Sequence, residues 1–403
     1  MRVAMISEHA SPLAALGGED AGGQNTHVAE LSTALARQGH EVRVYTRRDS
    51  PAQPDEVVTA AGFTVVHVPA GPPVPVPKDA LLPYMDGFGR WLGDAWRDGG
   101  WRPDAAHAHF WMSGLAAIAA RRRTGVPVVQ TFHALGTVKQ RHQGGADTSP
   151  AGRIRHEAVL GSGADRVIAQ SRDESWELRR MGVPAERISL IPSGVDSHRF
   201  APVGPAEPGR PARPRIVTVG RLVERKGFAD LVRALPAVPD AECVVIGGPP
   251  EGELAHHRLA RELRGLAGAC RVGDRLRLAG AVPPARMACW YRSADLVALA
   301  PWYEPFGLAA LEAMACGVPV VATAVGGLTD TVVDGVTGEL VPPRDPDALG
   351  GVLRGLLGDP ARRSAYGAAG AARARRHYSW RRTADRLARV YAAVSHRMSE
   401  VVA

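Results

Sequence analysis

The sequence predicts an α/β protein made of two doubly wound, Rossmann-like domains facing each other across a cleft. Three observations carry this. Short β-branched runs alternate with helical patterns, the mark of a parallel sheet covered on both faces. The alternation breaks once, in a stretch crowded with Pro and Gly, and then restarts. The 403 residues are also too many for one ordinary core, at about 100 to 200 residues per domain.

The first series of strands reads "RVAMIS", "EVRVYT", "TVVHVP", "AAHAHF", "PVVQTF", "RVIAQS" and "RISLIPSG". It stops in "GVDSHRFAPVGPAEPGRPARP", which has no periodicity. The second series reads "RIVTVG", "ECVVIGG", "RLRLAG", "DLVALA", "PVVAT" and "GELVP". The expected organisation is therefore a domain over residues 1–195, a linker over 196–213, and a second domain over 214–380. A last helix over 381–403 is placed to cross back to the first domain. Ligands of such sheets lie beyond the carboxyl ends of the strands.

Composition narrows the function class. A hydrophobic content of 45% against 22% charged residues is that of a folded globular chain. No apolar run reaches the roughly 18 to 20 residues of a membrane helix, and "MRVAMISEH" is too short in its apolar part for a signal peptide, so a cytoplasmic protein is expected. The tryptophans of "FGRWLGDAWRDGGW" read as core packing around one helix rather than as a membrane anchor. The cysteines Cys243, Cys270, Cys289 and Cys316 form no CxxC pair, which argues against a zinc site or a disulfide framework. The formal charge of +8 comes from arginines scattered on polar helix faces. With no nucleic-acid signature beside them, they suit a solvated surface or the attraction of phosphate-bearing substrates.

The motifs point to phosphate chemistry. After the first strand, "LGGEDAGGQNTHVAELSTALARQGHEV" supplies a loop with Gly17, Gly18, Gly22 and Gly23, Asn25 as a helix N-cap, and Gly39 as the helix stop. Glycine pairs let backbone amides approach a ligand. The spacing is not GxGxxG, which argues against a nicotinamide site, and the decoy "GSGADR" precedes a strand instead of following one. In the second domain, "GRLVERKGF" puts Arg221 and Lys226 just ahead of a helix, where both cations and the amide dipoles favour a diphosphate. "VVIGGPP" ends a strand on Gly247 and Gly248, against which a base or ribose can lie. Finally "PWYEPFGLAALEAMACGVPVV" puts Glu304 in a turn and Glu312 inside an apolar helix. A carboxylate there needs a partner. A ribose diol or an internal arginine would provide one.

Together "GGEDAGGQNTHV", "GRLVERKG" and "EPFGLAALE" resemble the retaining family 4 glycosyltransferases of GT-B architecture, over nearly the whole chain. The resemblance implies that Arg221 and Lys226 bind the donor diphosphate and stabilise the departing charge, with no metal and no cofactor. Glu304 would bind donor sugar hydroxyls, flanked by the backbone of Phe306, Gly307 and Leu308, and Glu312 would bind the ribose. Gly23, Gly247 and Gly248 join the donor site. A histidine near the transferred sugar is also implied, for which "QTFHALGTVKQR" offers His133 and "HAHFW" offers His109. The Asp345–Asp347 pair of "DPD" reads as a helix start, not a metal site.

Within that family the sequence is similar to the branch that glycosylates inositol phosphate, which implies an acceptor site from Gly22, Gly23, Asn25, Lys78, His109, Phe110 and Arg153 or Arg155. That branch holds the acceptor phosphate with Lys, Tyr, Thr and Arg. Here Phe110 and Ala134 replace the two hydroxyl residues. Losing two donors turns the expectation toward an unphosphorylated cyclitol, aminocyclitol or pseudo-oligosaccharide of antibiotic biosynthesis. An inositol-phosphate or lipid acceptor is the alternative. The donor is expected to be UDP-glucose or UDP-N-acetylglucosamine, and a homodimer is allowed. From another class, a nucleotide-sugar epimerase can use the same scaffold.

Overall fold

The computed structural model describes residues 1–14, 22–209 and 212–402. They form two compact units, and the chain passes from the first to the second after Pro192 and back again after Ser379.

Unit 1 carries an eight-stranded sheet. In chain order its strands are β1 (Arg2–Ile6), β2 (Glu41–Arg47), β3 (Glu56–Val58), β4 (Thr64–Val68), β5 (Ala105–His109), β6 (Val128–Thr131), β7 (Arg166–Ala169) and β8 (Ile188–Leu190). Across the sheet the order is β3-β4-β2-β1-β5-β6-β7-β8. All pairs are parallel except β3 with β4. The strand order reverses between β1 and β5, so that junction is where a ligand crevice opens in this topology. Residues 107 and 109 share one face of β5 by the two-residue strand period. The tryptophans behave as core: Trp96 and Trp101 are buried, and Trp91, Trp96 and Trp101 all lie edge-on or tilted about Tyr45. The long helix Trp380–Val402 belongs to this unit. It brings Trp380 against the ring of His27, and Asp385 accepts a hydrogen bond from Gln38.

Unit 2 carries a six-stranded, fully parallel sheet of β9 (Arg215–Val219), β10 (Glu242–Ile246), β11 (Leu276–Gly280), β12 (Leu296–Leu299), β13 (Val320–Thr323) and β14 (Gly338–Val341), in the order β11-β10-β9-β12-β13-β14. Alternate residues feed two separate cores. Ile216, Val245, Leu296 and Val321 face one side, while Val217, Val244, Val297 and Val320 face the other. Burial on both faces explains why these strands read as continuous apolar runs. Here the order reverses between β9 and β12.

Residues 196–209, expected as a linker, are instead laid on unit 2. Phe200 is buried in its core, and the Arg292 guanidinium donates to the carbonyls of Ala201 and Pro205. Glu207 pairs with Arg286 at 2.6 Å. An aromatic ring to bury and carbonyls to satisfy outweigh the freedom that a Pro- and Gly-rich composition suggests.

Candidate active site

Unit 2 gathers its motif residues at the β9/β12 reversal. The chain leaves β9 through Gly220 and Arg221, makes a 3-10 turn over Glu224–Lys226, and enters the helix Phe228–Ala234 through Gly227. Gly227 is left-handed, with φ +67°, and a Cβ there would stand 1.8 Å from the carbonyl oxygen of Ala300. No other residue lets this turn press against the end of β12. The result is that Lys226 Nζ lies 2.5 Å from Glu304 Oε2, across the reversal.

Both groups are largely shielded from water. Burial lowers the Lys226 pKa, opposed by Glu304 and reinforced by the nearby charges of Arg225 and Arg221. For Glu304, burial pushes upward, but Lys226, Arg225 and the Gly307 backbone N–H together hold it below the usual carboxylate range. The geometry is that of a lysinium–carboxylate pair flanked by two further cations. Arg225 has no place in the expected site. Its position beside Lys226 in "ERKG" was the available signal.

The turn after β12 is held from behind. The Glu304 carbonyl accepts the Gly327 N–H at 2.9 Å, and Cβ atoms at Gly326 or Gly327 would collide with the carbonyls of Glu304 and Pro305 at 2.2 and 2.5 Å. These glycines lie just after β13, and nothing in the sequence reading singled them out. Gly247 proves to be a packing position as well: its φ is +125°, and a Cβ would meet the Gly220 carbonyl oxygen at 2.1 Å. Gly248, with φ +90°, is crowded by Leu222. Gly307, at φ +90°, caps the helix Leu308–Ala315, whose first amides lack partners within the helix. The Phe306 side chain is core, tilted against Tyr378.

Glu312 receives a hydrogen bond from Tyr291 Oη at 2.8 Å. Tyr291 is fully buried on the helix Pro284–Arg292, and burial together with Glu312 raises its pKa well above the ordinary value. A tyrosine therefore provides the partner for which sequence reasoning offered a ribose or an arginine. Asp345 accepts from the Ala348 N–H as the cap of helix Pro346–Leu357, in keeping with a helix start.

In unit 1 two of the expected acceptor residues, His109 and Phe110, stand at the end of β5, at the β1/β5 reversal. Gly17 and Gly18 lie outside the described residues. Gly22, not Asn25, is the cap of helix Gly23–Arg37. Asn25 sits three residues on. Its Oδ1 accepts the Gly22 N–H at 3.0 Å and its Nδ2 donates to Ser11 at 2.9 Å. Phe110 caps helix Trp111–Thr124 with φ +82° and is buried. Arg153 lies over its ring, 5.1 Å from the centroid. That guanidinium is already engaged: Nε with Glu157 at 2.7 Å, Nη2 with the Ala134 carbonyl at 2.6 Å, and Nη1 with Ser149 at 3.1 Å. Arg155 is exposed on the same helix. Lys78 starts a short 3-10 turn and is partly buried.

The histidines form one array. His109 Nδ1 lies 2.9 Å from His133 Nε2, His107 packs on His109 with 4.2 Å between centroids, and His27 meets both His109 and His133. His133 holds a left-handed backbone, φ +59°, which is uncommon outside glycine and clusters at functional positions. Burial is the main force keeping every ring neutral, with the neighbouring imidazoles adding to it. His107 and His133 are lowered to about 3, and His27 and His109 well below the usual value. His107 is anchored at both nitrogens, Nδ1 to Tyr391 Oη at 2.7 Å and Nε2 to Thr131 Oγ1 at 2.8 Å. Beside the array, the buried Glu8 carboxylate takes a hydrogen bond from Ser113 and lies 2.7 Å from His9 Nδ1. Neither Glu8 nor His9 was expected in the site.

Two Rossmann-like units, one holding a cation cluster against a paired carboxylate at its strand reversal, define a glycosyltransferase of GT-B fold. Family models agree along the chain: "Glycosyltransferase Family 4" matches residues 21–199 and "Glycosyl transferases group 1" matches residues 206–373. The chain belongs to the family 4 glycosyltransferases. It is 41% identical to the D-inositol 3-phosphate glycosyltransferase of Xylanimonas cellulosilytica, over 98% of this chain and 97% of that one. The enzyme of the same name from Kineococcus radiotolerans is 39% identical, over 99% and 97%. Among solved structures, sucrose-phosphate synthase from Thermosynechococcus elongatus matches with a TM-score of 0.90 and 32% identity, over 98% of each chain. Anabaena HepE in complex with UDP and glucose matches at 0.75 and 19% identity, over 97% and 99%, a likeness of fold alone.

Proposed function

We propose that the chain moves a hexosyl group, with retention, from a nucleotide diphosphate sugar to a hydroxyl of a phosphorylated polyol of the inositol-phosphate class. The observation that carries the donor half is the Lys226–Glu304 pair at the β9/β12 reversal, with Arg221 and Arg225 beside it. When the bond between anomeric carbon and phosphate breaks, negative charge grows on the leaving diphosphate. Lys226, Arg221 and the amides at Leu308 are preorganised to meet it, so the step needs no metal. Glu304 binds sugar hydroxyls, Glu312 the ribose, and His133 the transferred sugar. The acceptor hydroxyl attacks from the side the diphosphate leaves. The acceptor half is supported by relatives whose names specify D-inositol 3-phosphate.

A second reading, an unphosphorylated aminocyclitol acceptor, is favoured by one specific feature. Arg153 is locked to Glu157, and Phe110 and Ala134 bring no hydroxyl to a phosphate. A screen of UDP-glucose and UDP-N-acetylglucosamine against inositol phosphate and 2-deoxystreptamine, read by mass spectrometry, decides between the two. Product with neither, alongside rapid epimer formation from UDP-sugar alone, would overturn both.

A further inference from the structure

Unit 1 assembles three imidazoles from three separate elements: His27 from helix Gly23–Arg37, His109 from the end of β5, and His133 from the turn after β6. One ring nitrogen of each lies within 4.8 Å of the other two, and the tightest pair is the 2.9 Å contact of His109 Nδ1 with His133 Nε2. A tetrahedral ion with metal–nitrogen bonds of about 2.0 to 2.1 Å spaces its ligands about 3.4 Å apart. The observed spread brackets that distance, so ring movements of about half an ångström to about one and a half ångströms close the site.

The surroundings complete the case. Metal-bound imidazoles need a partner on the outward nitrogen. His109 Nε2 faces Met5 Sδ at 3.4 Å. The Gln170 side-chain amide lies 3.1 Å from His27 Nδ1 and also hydrogen-bonds His133. The Gln170 backbone N–H donates to the Glu174 carboxylate at 2.7 Å. Trp380 packs edge-on against His27, whereas His133 is only partly buried, which leaves an approach on that side.

We propose that His27, His109 and His133 bind a single late first-row divalent ion, Zn²⁺ being the geometric match, with one coordination position left open. An all-nitrogen set excludes Mg²⁺ and Ca²⁺, which require oxygen. Because the reading above gives His133 to the transferred sugar, the ion is an inhibitor of transfer on that reading. Binding itself does not depend on it.

The test is a Co²⁺ titration of the chelator-stripped full chain, without substrates. A visible band of four- or five-coordinate Co²⁺ saturating at one equivalent, displaced by Zn²⁺, is expected. It should vanish in His133→Asn, chosen because Asn tolerates a positive φ, and in His27→Gln, and weaken about 10- to 100-fold in Gln170→Ala. X-ray absorption on the Zn²⁺-loaded wild type should count three imidazoles, a readout independent of whether any variant folds. No saturable band, a band unchanged in both histidine variants, or fewer than three imidazoles would overturn the site. With transfer assayed on the chelator-stripped chain, transfer without metal binding in the titration refutes this site alone, and metal binding by a chain that shows no transfer when metal-free refutes only the proposed activity.

Discussion

Single side chains in the site carry distinct jobs, and each yields a separate expectation. On the proposed function, Lys226→Ala removes the charge that would meet the leaving diphosphate, and Glu304→Ala frees that charge but loses the proposed sugar contact. Each should lower transfer by about 10²-fold or more with an unchanged circular dichroism spectrum, and near wild-type rates in both would refute the assignment. Tyr291→Phe deprives Glu312 of its 2.8 Å donor. The expected loss is about 1 to 3 kcal/mol, read as a lower urea midpoint, and an unchanged midpoint would mean that the bond contributes little. The histidine array adds a pH dependence. The folded values lie below 6.5, so stability is full above about pH 6.5. As pH falls from there toward 3, the unfolded chain takes up protons that the folded chain refuses, and stability is lost. Each ring costs on the order of 1 kcal/mol per pH unit in that window. A melting temperature that stays flat between about pH 7.5 and 5 would show the rings to be more hydrated than they look.

At the level of elements, thirteen of the fourteen strands among the described residues lie under runs legible in the sequence. The exception is β3, a three-residue antiparallel edge strand with two exposed residues, too short to show a period. The motifs stand out where neighbours are local: Lys226 precedes Gly227, and Glu304 and Glu312 share one short run around Gly307. What escaped depends on partners far apart in the chain. Tyr291 meets Glu312 from a different helix, and Gln170 meets His27 across 143 residues. Gly247 is expected from the sequence as a ligand approach and Gly227 is not singled out there, whereas strand-to-loop crowding fixes both. Gly227→Ala should therefore destabilise unit 2 strongly, since both its φ and the Ala300 carbonyl forbid a side chain. By contrast, Gly39→Asn should be nearly neutral: φ is +83° with nothing within 4 Å of a Cβ. Thermal unfolding of the pair checks the contrast, and equal losses would remove the steric argument.

On the scale of the whole molecule, acceptor choice and chain connectivity are the consequential features. If Phe110 and Ala134 set the acceptor class, Phe110→Tyr with Ala134→Thr should raise the use of inositol phosphate relative to 2-deoxystreptamine, a ratio read by mass spectrometry. No change in the ratio would move the discrimination elsewhere. Among the described residues no helix is long and apolar enough to cross a membrane, and the positive net charge suits anionic substrates.

The return of helix Trp380–Val402 to unit 1 has a temporal meaning. The hydroxyl that anchors His107 and the indole beside His27 are translated only after every strand of unit 2. A nascent chain thus carries all of unit 2 while its histidine array still lacks one wall. A frameshift near residue 380 would remove both contacts, leaving His107 without its Tyr391 partner and His27 without its Trp380 neighbour.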